Sequence, residues 1–329
     1  MLNQKTKYKE NYNMTTTIKN KKEIRSAFAN FVTGNIDEIE ARSLGVNINN
    51  GKATVPKSIA AEIIGYVEQE NPLRKYGNVV KVDGNLSYPV LKGAVTVDAH
   101  KTERDKNEIQ VNHLGLIAEL LEPVEFDSIS TIKKKLLYTS TVSVEDLVID
   151  VMKKAYLVKE IDYMINGNHS DAFNEGSLLN KAKIFTPIAT DPVAIIKELK
   201  NKPSTNVTNK ARWIVNKAAL EYVEDLKLPN GEAALKTIDR VDGGVSYMLL
   251  GFPLDCLDSV EGSTEKAAVF YFGDFDSFTI QENSTGLEVE TLYERYAHLN
   301  EIGFKLYNLL DGKLIYSEVE PTVYRLEIK

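Results

Sequence analysis

The chain has 329 residues with 40 basic and 47 acidic side chains, a formal charge of −7. At roughly 100–200 residues per domain this is one large or two medium domains, and 43% hydrophobic with 26% charged residues excludes wholesale disorder. No apolar run approaches the roughly 18 residues of a membrane span, the N-terminus lacks a signal-peptide core, and the lone Cys256 excludes an internal disulfide framework, so a mildly acidic intracellular chain is expected.

The first 25 residues are basic: Lys5, Lys7, Lys9, Lys19, Lys21, Lys22 and Arg25 face only Glu10 and Glu23. Residues 1–19 read as an arm outside the core, either a solvated tail or a segment that touches a polyanion or a partner protein. Ile24, Phe28 and Phe31 fall at helical spacing from about Lys21, with a stop at Gly34. Residues 45–57 are a polar link. A helix is predicted from Ser58 as cap, with Ile59, Ile63, Ile64 and Val67 on one face, ending near Asn71-Pro72.

From Asn78 the period changes to two, with Val80, Val82, Leu86, Tyr88 and Val90 alternating, and Asp83-Gly84 signals a hairpin. Asp98 to Asn112 is long, polar and charged, which is hard to place in a compact domain unless it does something. Strand patterns resume over 114–119 and at Phe126, Ile129, Ile132 and Leu136. Ser143 then caps a helix with Glu145 and Asp146 in its first turn. Val144, Leu147, Val148, Val151, Ala155, Val158, Ile161 and Met164/Ile165 form its predicted apolar stripe, and Asn166-Gly167 ends it. At 1.5 Å per residue it spans roughly 35 Å.

Downstream, Pro192 to Lys200 and Lys217 to Lys227 read as helices, the second closed by Pro229-Asn230-Gly231, and Trp213-Ile214-Val215 as a buried strand. Further strands are predicted at Tyr247 to Cys256, Ala267 to Phe272, Phe278 to Ile280, Leu287 to Tyr293, Phe304 to Leu310 and Val323 to Ile328, with a turn at Asp311-Gly312. Helices and strands mix without regular alternation, so the fold class is α+β.

No catalytic, cofactor-binding or metal-ligating residue is predicted, and no cofactor. There is no dinucleotide fingerprint, phosphate loop, nucleophile elbow or zinc-protease motif. His100, His113, His169 and His298 are scattered, and Cys256 sits in an apolar strand context suited to an inert thiol. Asn166 to Asp171 lacks the alternating oxygen ligands of a calcium loop and reads as a helix-ending turn. Asn168, Asn206 and Asn283 stand in glycosylation sequons that are idle without secretion.

Phe126 to Leu136 followed by Val142-Ser143-Val144-Glu145-Asp146-Leu147-Val148-Ile149-Asp150 resembles the major capsid proteins of tailed bacteriophages with the Hong Kong 97 fold. In that family a strand leads to Val-Ser-x-Glu-Leu-Leu-x-Asp at the start of the long spine helix. Other matches follow in the family's order. Ala53-Thr54-Val55-Pro56 and Asn71-Pro72-Leu73-Arg74 lie upstream. Ile165-Asn166-Gly167, Glu175 to Leu179, Trp213 to Asn216, Leu249 to Pro253, Phe272 to Phe275, and Asn300, Gly303 and Asp311-Gly312 lie downstream.

The resemblance implies a layout: N-terminal arm 1–57; arm helix and start of the peripheral domain 58–91; extended loop 92–125; peripheral domain 126–189 with spine helix 143–165; axial domain 190–280; return to the peripheral domain 281–329. It implies a non-enzymatic head protein of the virion, assembled in the bacterial host cytoplasm. Its copies would form the hexamers and pentamers of an icosahedral shell around double-stranded DNA, with no membrane partner. Scaffold, portal and a maturation protease are the other partners implied.

Many relatives begin with a longer scaffolding segment, whereas only residues 1–52 precede Ala53 here, which implies a separate scaffold or a shortened chain; Met14 is a second candidate start. The positions of the family's Lys–Asn cross-link fall on Glu122 and near Tyr296, so no such cross-link is expected. Two alternatives stand beside this reading: an encapsulin-type nanocompartment shell, which neighbouring genes would distinguish, and an α+β enzyme, which would need clustered titratable groups in a cleft.

Overall fold

The computed structural model describes residues 27, 30–31, 36–44, 46, 48–49, 52–53, 57–93, 115–139, 144–169, 172–239, 245–264, 266–292 and 294–328. The arm 1–26, the Lys21–Gly34 helix except for 27 and 30–31, the whole polar segment 98–112, His100, His113 and the cap Ser143 therefore lie outside the described residues.

Helix α1 (Glu38–Ser43) is capped by Asp37, which accepts from the Glu40 amide at 2.7 Å. The link that follows contains a minimal pair of strands, β1 (Ile48–Asn49) and β2 (Lys52–Ala53). Helix α2 spans Lys57–Glu70, so Ser58 falls inside the first turn instead of capping it. Asn71 does not merely end that helix. Its carboxamide accepts from the Leu73 amide at 2.9 Å and starts α3 (Pro72–Tyr76), where proline at the first position lacks an N–H that would go unused.

The expected hairpin at Asp83-Gly84 does not form. Strand β3 (Asn78–Lys81) pairs in parallel with β15 (Phe278–Glu282), while β4 (Leu86–Leu91) pairs antiparallel with β5 (Leu116–Leu121). The polar groups of the bend are satisfied elsewhere. Asp83 accepts from the Ser284 amide and hydroxyl, which hold its carboxyl below the usual range, and the Gln281 amide donates to the carbonyls of Val82 and Gly84. Strand β6 (Val124–Lys133) runs into α4 (Lys134–Thr139), so Leu136 is helical and not in a strand.

The long helix is α5 (Val144–Ile165). Its buried apolar side chains are Val148, Ile149, Met152, Tyr156, Ile161, Tyr163, Met164 and Ile165, whereas Val151 and Val158 of the predicted stripe are 55% and 58% exposed. The apolar residues cover more of the circumference than one core-facing stripe, and residue types alone did not separate the two faces. Gly167 ends the helix at φ +61, and a Cβ there would lie 2.6 Å from the Ser177 side chain, so glycine is required.

The short strands β7 (Asn168–His169) and β8 (Ala172–Phe173), helix α6 (Leu178–Lys181) and strand β9 (Lys183–Ile184) follow. Helix α7 (Pro192–Lys200) has Asp191 as cap, accepting from the Ala194 amide at 3.0 Å. The α8 turn (Thr205–Thr208) leads to β10 (Arg212–Val215) and α9 (Lys217–Glu224), which ends a residue before Asp225 and short of the predicted Lys227. Strands β11 (Leu235–Asp239), β12 (Val245–Leu249), β13 (Phe252–Cys256) and β14 (Ala268–Gly273) precede β15. Strand β16 (Glu288–Leu292), β17 (Glu301–Leu314) and β18 (Val323–Ile328) close the chain. The predicted turn at Asp311-Gly312 is absent, because β17 runs straight through it with Asp311 buried.

The chain divides into two compact units, Met1–Glu70, Glu125–Leu157 and Thr285–Leu309 in one, Asn71–Val124, Val158–Ser284 and Leu310–Lys329 in the other. In the first, β16 pairs with the front half of β17 from Glu288↔Tyr307 to Leu292↔Gly303, and α2 packs on β16 with Ile63 and Val67 fully buried. Phe126 meets Tyr156 edge-on at 6.2 Å, and Asn308 donates to the Tyr156 hydroxyl at 2.7 Å.

In the second, seven strands lie in the order β11-β12-β13-β10-β14-β18-β9. One face carries the core: Trp213, Phe270 and Phe272 pack with Ile196 and Leu199 of α7 and Ala219 and Val223 of α9. The Asn216 carboxamide caps α9 at the Ala219 amide (2.9 Å) and bonds β14 at the Val269 amide (3.1 Å) and Ala267 carbonyl (2.8 Å), locking helix to sheet.

Candidate assembly surfaces

Few of the residues suited to catalysis come together. Among the described residues no group of three His, Cys, Asp or Glu is placed to hold a metal. His169 lies on β7 and His298 in a short 3-10 turn, Ala297–Leu299, of the other unit. Cys256 ends β13 half-buried, and burial pushes its thiol up, with Asp258 adding to the effect and Lys217 opposing it. A raised thiol pKa leaves less thiolate for attack at neutral pH.

What the chain offers instead is surface. Strands β4 and β5 form a two-stranded ribbon, with register from Leu86↔Leu121 to Leu91↔Leu116, that pairs with no third strand among the described residues. Its outer end is continued by the Lys92 amide bonding the Gly115 carbonyl at 2.8 Å. Leu116, Ile117 and Leu120 are exposed, Leu116 by 66%, while Leu121 at the base is fully buried. A lone two-stranded ribbon is marginal in water. Here it is tied down along its length, from Leu120 near the base to Leu91 at the outer end. Lys313 donates to the Leu120 carbonyl at 2.7 Å, Lys181 meets Glu119 at 2.5 Å, and the Ser317 hydroxyl donates to the Leu91 carbonyl at 2.8 Å.

The seven-stranded sheet presents further surface. Ile238 and Val245 stand exposed on the β11–β12 hairpin at the sheet's edge, and a cleft of about 500 Å³ opens between α7 and the turns at Asn230 and Gly251, with Lys197, Lys200 and Lys236 on its wall. Elsewhere Ile184, Ile188 and Leu299 are exposed. Single exposed apolar residues are ordinary, but on this ribbon both faces carry them, Leu116 and Leu120 on one and Ile117 on the other.

Two buried polar networks join segments far apart in the chain, and the second also reaches the end of the ribbon; sequence reading found neither. Arg74 on α3 meets Glu160 on α5 through Nε to Oε1 at 2.6 Å and Nη2 to Oε2 at 2.8 Å, and its Nη2 lies 2.5 Å from Oε1 of Glu282 on β15. Asn71 adds a bond to Glu160 at 2.7 Å. Asp311 accepts from the Tyr163 hydroxyl at 2.9 Å and the Glu122 amide at 2.8 Å. The partners lie 86 and 189 residues apart, so the only sequence signal was a charged residue standing within an apolar context. Of the expected cross-link positions, the Glu122 side chain is exposed and Tyr296 flanks the Ala297–Leu299 turn.

The phage capsid family model matches residues 51–319. No curated protein matches the sequence. Similar solved structures include the capsid of a native GTA particle computed with C5 symmetry, 16% identical with a TM-score of 0.59, covering 88% of this chain and 97% of that one. A chain of Microbacterium phage Oxtober96 is 11% identical, with a TM-score of 0.57 and coverage of 88% and 98%. One of Mycobacterium phage Cain is 15% identical, with a TM-score of 0.53 and coverage of 88% and 97%. At these identities the likeness is one of fold.

Proposed function

The chain belongs to the phage capsid family and is a major capsid protein with the Hong Kong 97-type fold; from that premise we propose that the β4–β5 ribbon is the arm by which one copy engages the next as the shell closes. The ribbon carries the reading because it exposes Leu116, Ile117 and Leu120 and finds no third strand among the described residues. A second copy of the chain supplies the missing cover.

On this reading the layout is that of the family: arm 1–57, extended loop 92–125, peripheral domain 126–189 and 281–329, and axial domain 190–280. Five of the seven strands of the large sheet, β10 to β14, fall within 190–280, which supports treating that region as one body. Its edge hairpin is then the part presented to neighbours around five- and six-fold axes, a heterologous contact that closes into rings. Many modest contacts per subunit sum to a stable shell.

The shell is icosahedral and encloses double-stranded DNA, and it assembles in the host cytoplasm with a scaffold, a portal and a maturation protease. The acidic net charge suits a container, because a surface with few excess cations does not condense DNA by neutralising phosphates. The subunit's role is structural and not catalytic, and Glu122 and Tyr296 supply neither the Lys nor the Asn of a family cross-link.

The test is to express the full chain, alone and with its scaffold, and examine it by light scattering and negative-stain electron microscopy. Capsomers or closed particles are expected. A strictly monomeric species at micromolar concentration under both conditions overturns the reading.

A further inference from the structure

Asp311 is a charged residue in the interior of a long strand, 1% exposed, where the sequence pattern calls for a turn. Burying a carboxylate there is unfavourable in itself. Burial raises its pKa, and the Glu122 amide, Lys313, the Tyr163 hydroxyl and the Gly312 amide oppose that rise only in part. The group is therefore not accounted for by stability of the ionised form alone, and its geometry is informative.

Three donors converge on it. The Tyr163 hydroxyl reaches Oδ1 at 2.9 Å, the Gly312 amide reaches Oδ1 at 2.8 Å, and the Glu122 amide reaches Oδ2 at 2.8 Å, with Lys313 Nζ a further 3.8 Å from Oδ2. Only an acceptor on both sides accommodates this set, since the NH2 of an asparagine, whichever way it turned, would face a donor. Two of the three donors belong to α5 and β17. The third belongs to the ribbon.

Glu122 is the residue immediately after β5. Its own side chain is exposed, so the tie is made by its backbone and its specificity resides wholly in Asp311. Exposure along β5 falls towards this point, from Leu116 at 66% to Leu121 at 0%. The other ties to the ribbon come from two partly exposed lysines, Lys313 at 18% and Lys181 at 29%, and from the part-buried Ser317 hydroxyl at the outer end. Asp311 is the dry one.

We propose that Asp311 is the positioning residue of the ribbon: by fixing the backbone at Glu122 it sets the direction in which β4–β5 leaves the subunit, and through that direction controls assembly with a second copy. This rests on the reading of the ribbon as an intersubunit arm.

The test uses the full-length chain with Asp311→Asn, which turns an N–H towards a donor, and Glu122→Pro, which deletes the amide and leaves Asp311 in place; Glu122→Gln is the control. Hydrogen exchange is followed in peptides over 116–122 and over 268–273 of the large sheet, and particle yield by sedimentation. The expected result is exchange about tenfold faster over 116–122 in D311N and E122P, unchanged protection over 268–273, and particle yield lowered about fivefold or more. Glu122→Gln should match wild type in every readout. Unchanged ribbon exchange in both variants overturns the proposal, and so do normal particle yields despite faster exchange. Loss of protection over 268–273 in both variants overturns it too, because Asp311 would then hold the fold and not the ribbon. Absence of particles from the wild type instead defeats the assembly reading, and is seen before any variant is compared.

Discussion

Arg74 and Glu160 meet side-on, both guanidinium–carboxylate contacts are within 2.8 Å, and neither side chain touches solvent. The same guanidinium also faces Glu282, itself reached at 3.8 Å by the exposed Lys81. The planar fork of arginine is what allows one cation to serve two carboxylates from two elements. Arg74→Ala leaves Glu160 without a cation and Glu282 with only the distant, exposed Lys81, and a loss of about 3–5 kcal/mol is expected from breaking such a cluster. A urea midpoint within error of wild type would show that the cluster is not what joins α3, α5 and β15. Arg74→Lys keeps the charge without the fork, and its midpoint should fall between the two.

Trp213 is the sole tryptophan, fully buried, 4.2 Å from the Phe272 ring and donating from Nε1 to the Leu249 carbonyl at 3.1 Å. Its emission therefore reports the large sheet alone. A blue-shifted native spectrum that moves red in one step with denaturant is expected, and Trp213→Ala should cost about 3–5 kcal/mol. A native spectrum already at the wavelength of exposed indole would contradict this packing.

The tyrosines carry the clearest pH dependence. Burial pushes the Tyr271 hydroxyl up to about 12, with the nearby Arg325 opposing. Burial raises Tyr163 as well, reinforced by Asp311. With folded values above the unfolded value of about 10, these groups contribute stability that is complete below pH 10 and lost as pH rises through their folded pKa values. Phenolate absorbance of the native chain at about pH 11 should thus correspond to fewer than all 16 tyrosines, whereas in guanidinium all should titrate together near 10. Coincident native and denatured curves would remove the basis for this.

Deleting Asp98 to Asn112 removes a segment beyond the outer end of the described ribbon. The fold should survive, read as an unchanged Trp213 spectrum and urea midpoint, while particle formation is lost. A variant that fails to fold would mean that the segment belongs to the subunit's own core.

Where an element announces itself locally, sequence and structure agree. Helices α7 and α9 carry their caps, Asp191 and Asn216, beside them in the chain, and Gly167 stops α5 where its left-handed conformation is needed. The misreadings share one physical cause: a partner far away in the chain. Asp83-Gly84 has hairpin chemistry, but Ser284 and Gln281 occupy its polar groups, and β3 pairs with β15 some 200 residues on. Asp311-Gly312 has turn chemistry, but Tyr163 and the Glu122 amide satisfy the carboxylate and let the strand continue. The exposed Val151 and Val158 on α5 are the same failure in reverse, since residue type does not say which face of a helix is covered. The ribbon's strand pattern was legible; that it pairs with no third strand among the described residues was not.

The division of the chain carries an evolutionary corollary. Its two units are assembled from six alternating segments, and each unit takes residues from near the start and near the end of the other's span. A single recombination crossover between two homologous genes, wherever it falls, therefore mixes the parents within at least one unit. Packed partners such as Arg74 and Glu282, or Asp311 and Glu122, are then inherited from different ancestors unless the crossover lies outside the interval between them. No single crossover exchanges an intact unit, so point substitution, change within surface loops and replacement of the whole reading frame are the simpler routes by which this gene diversifies.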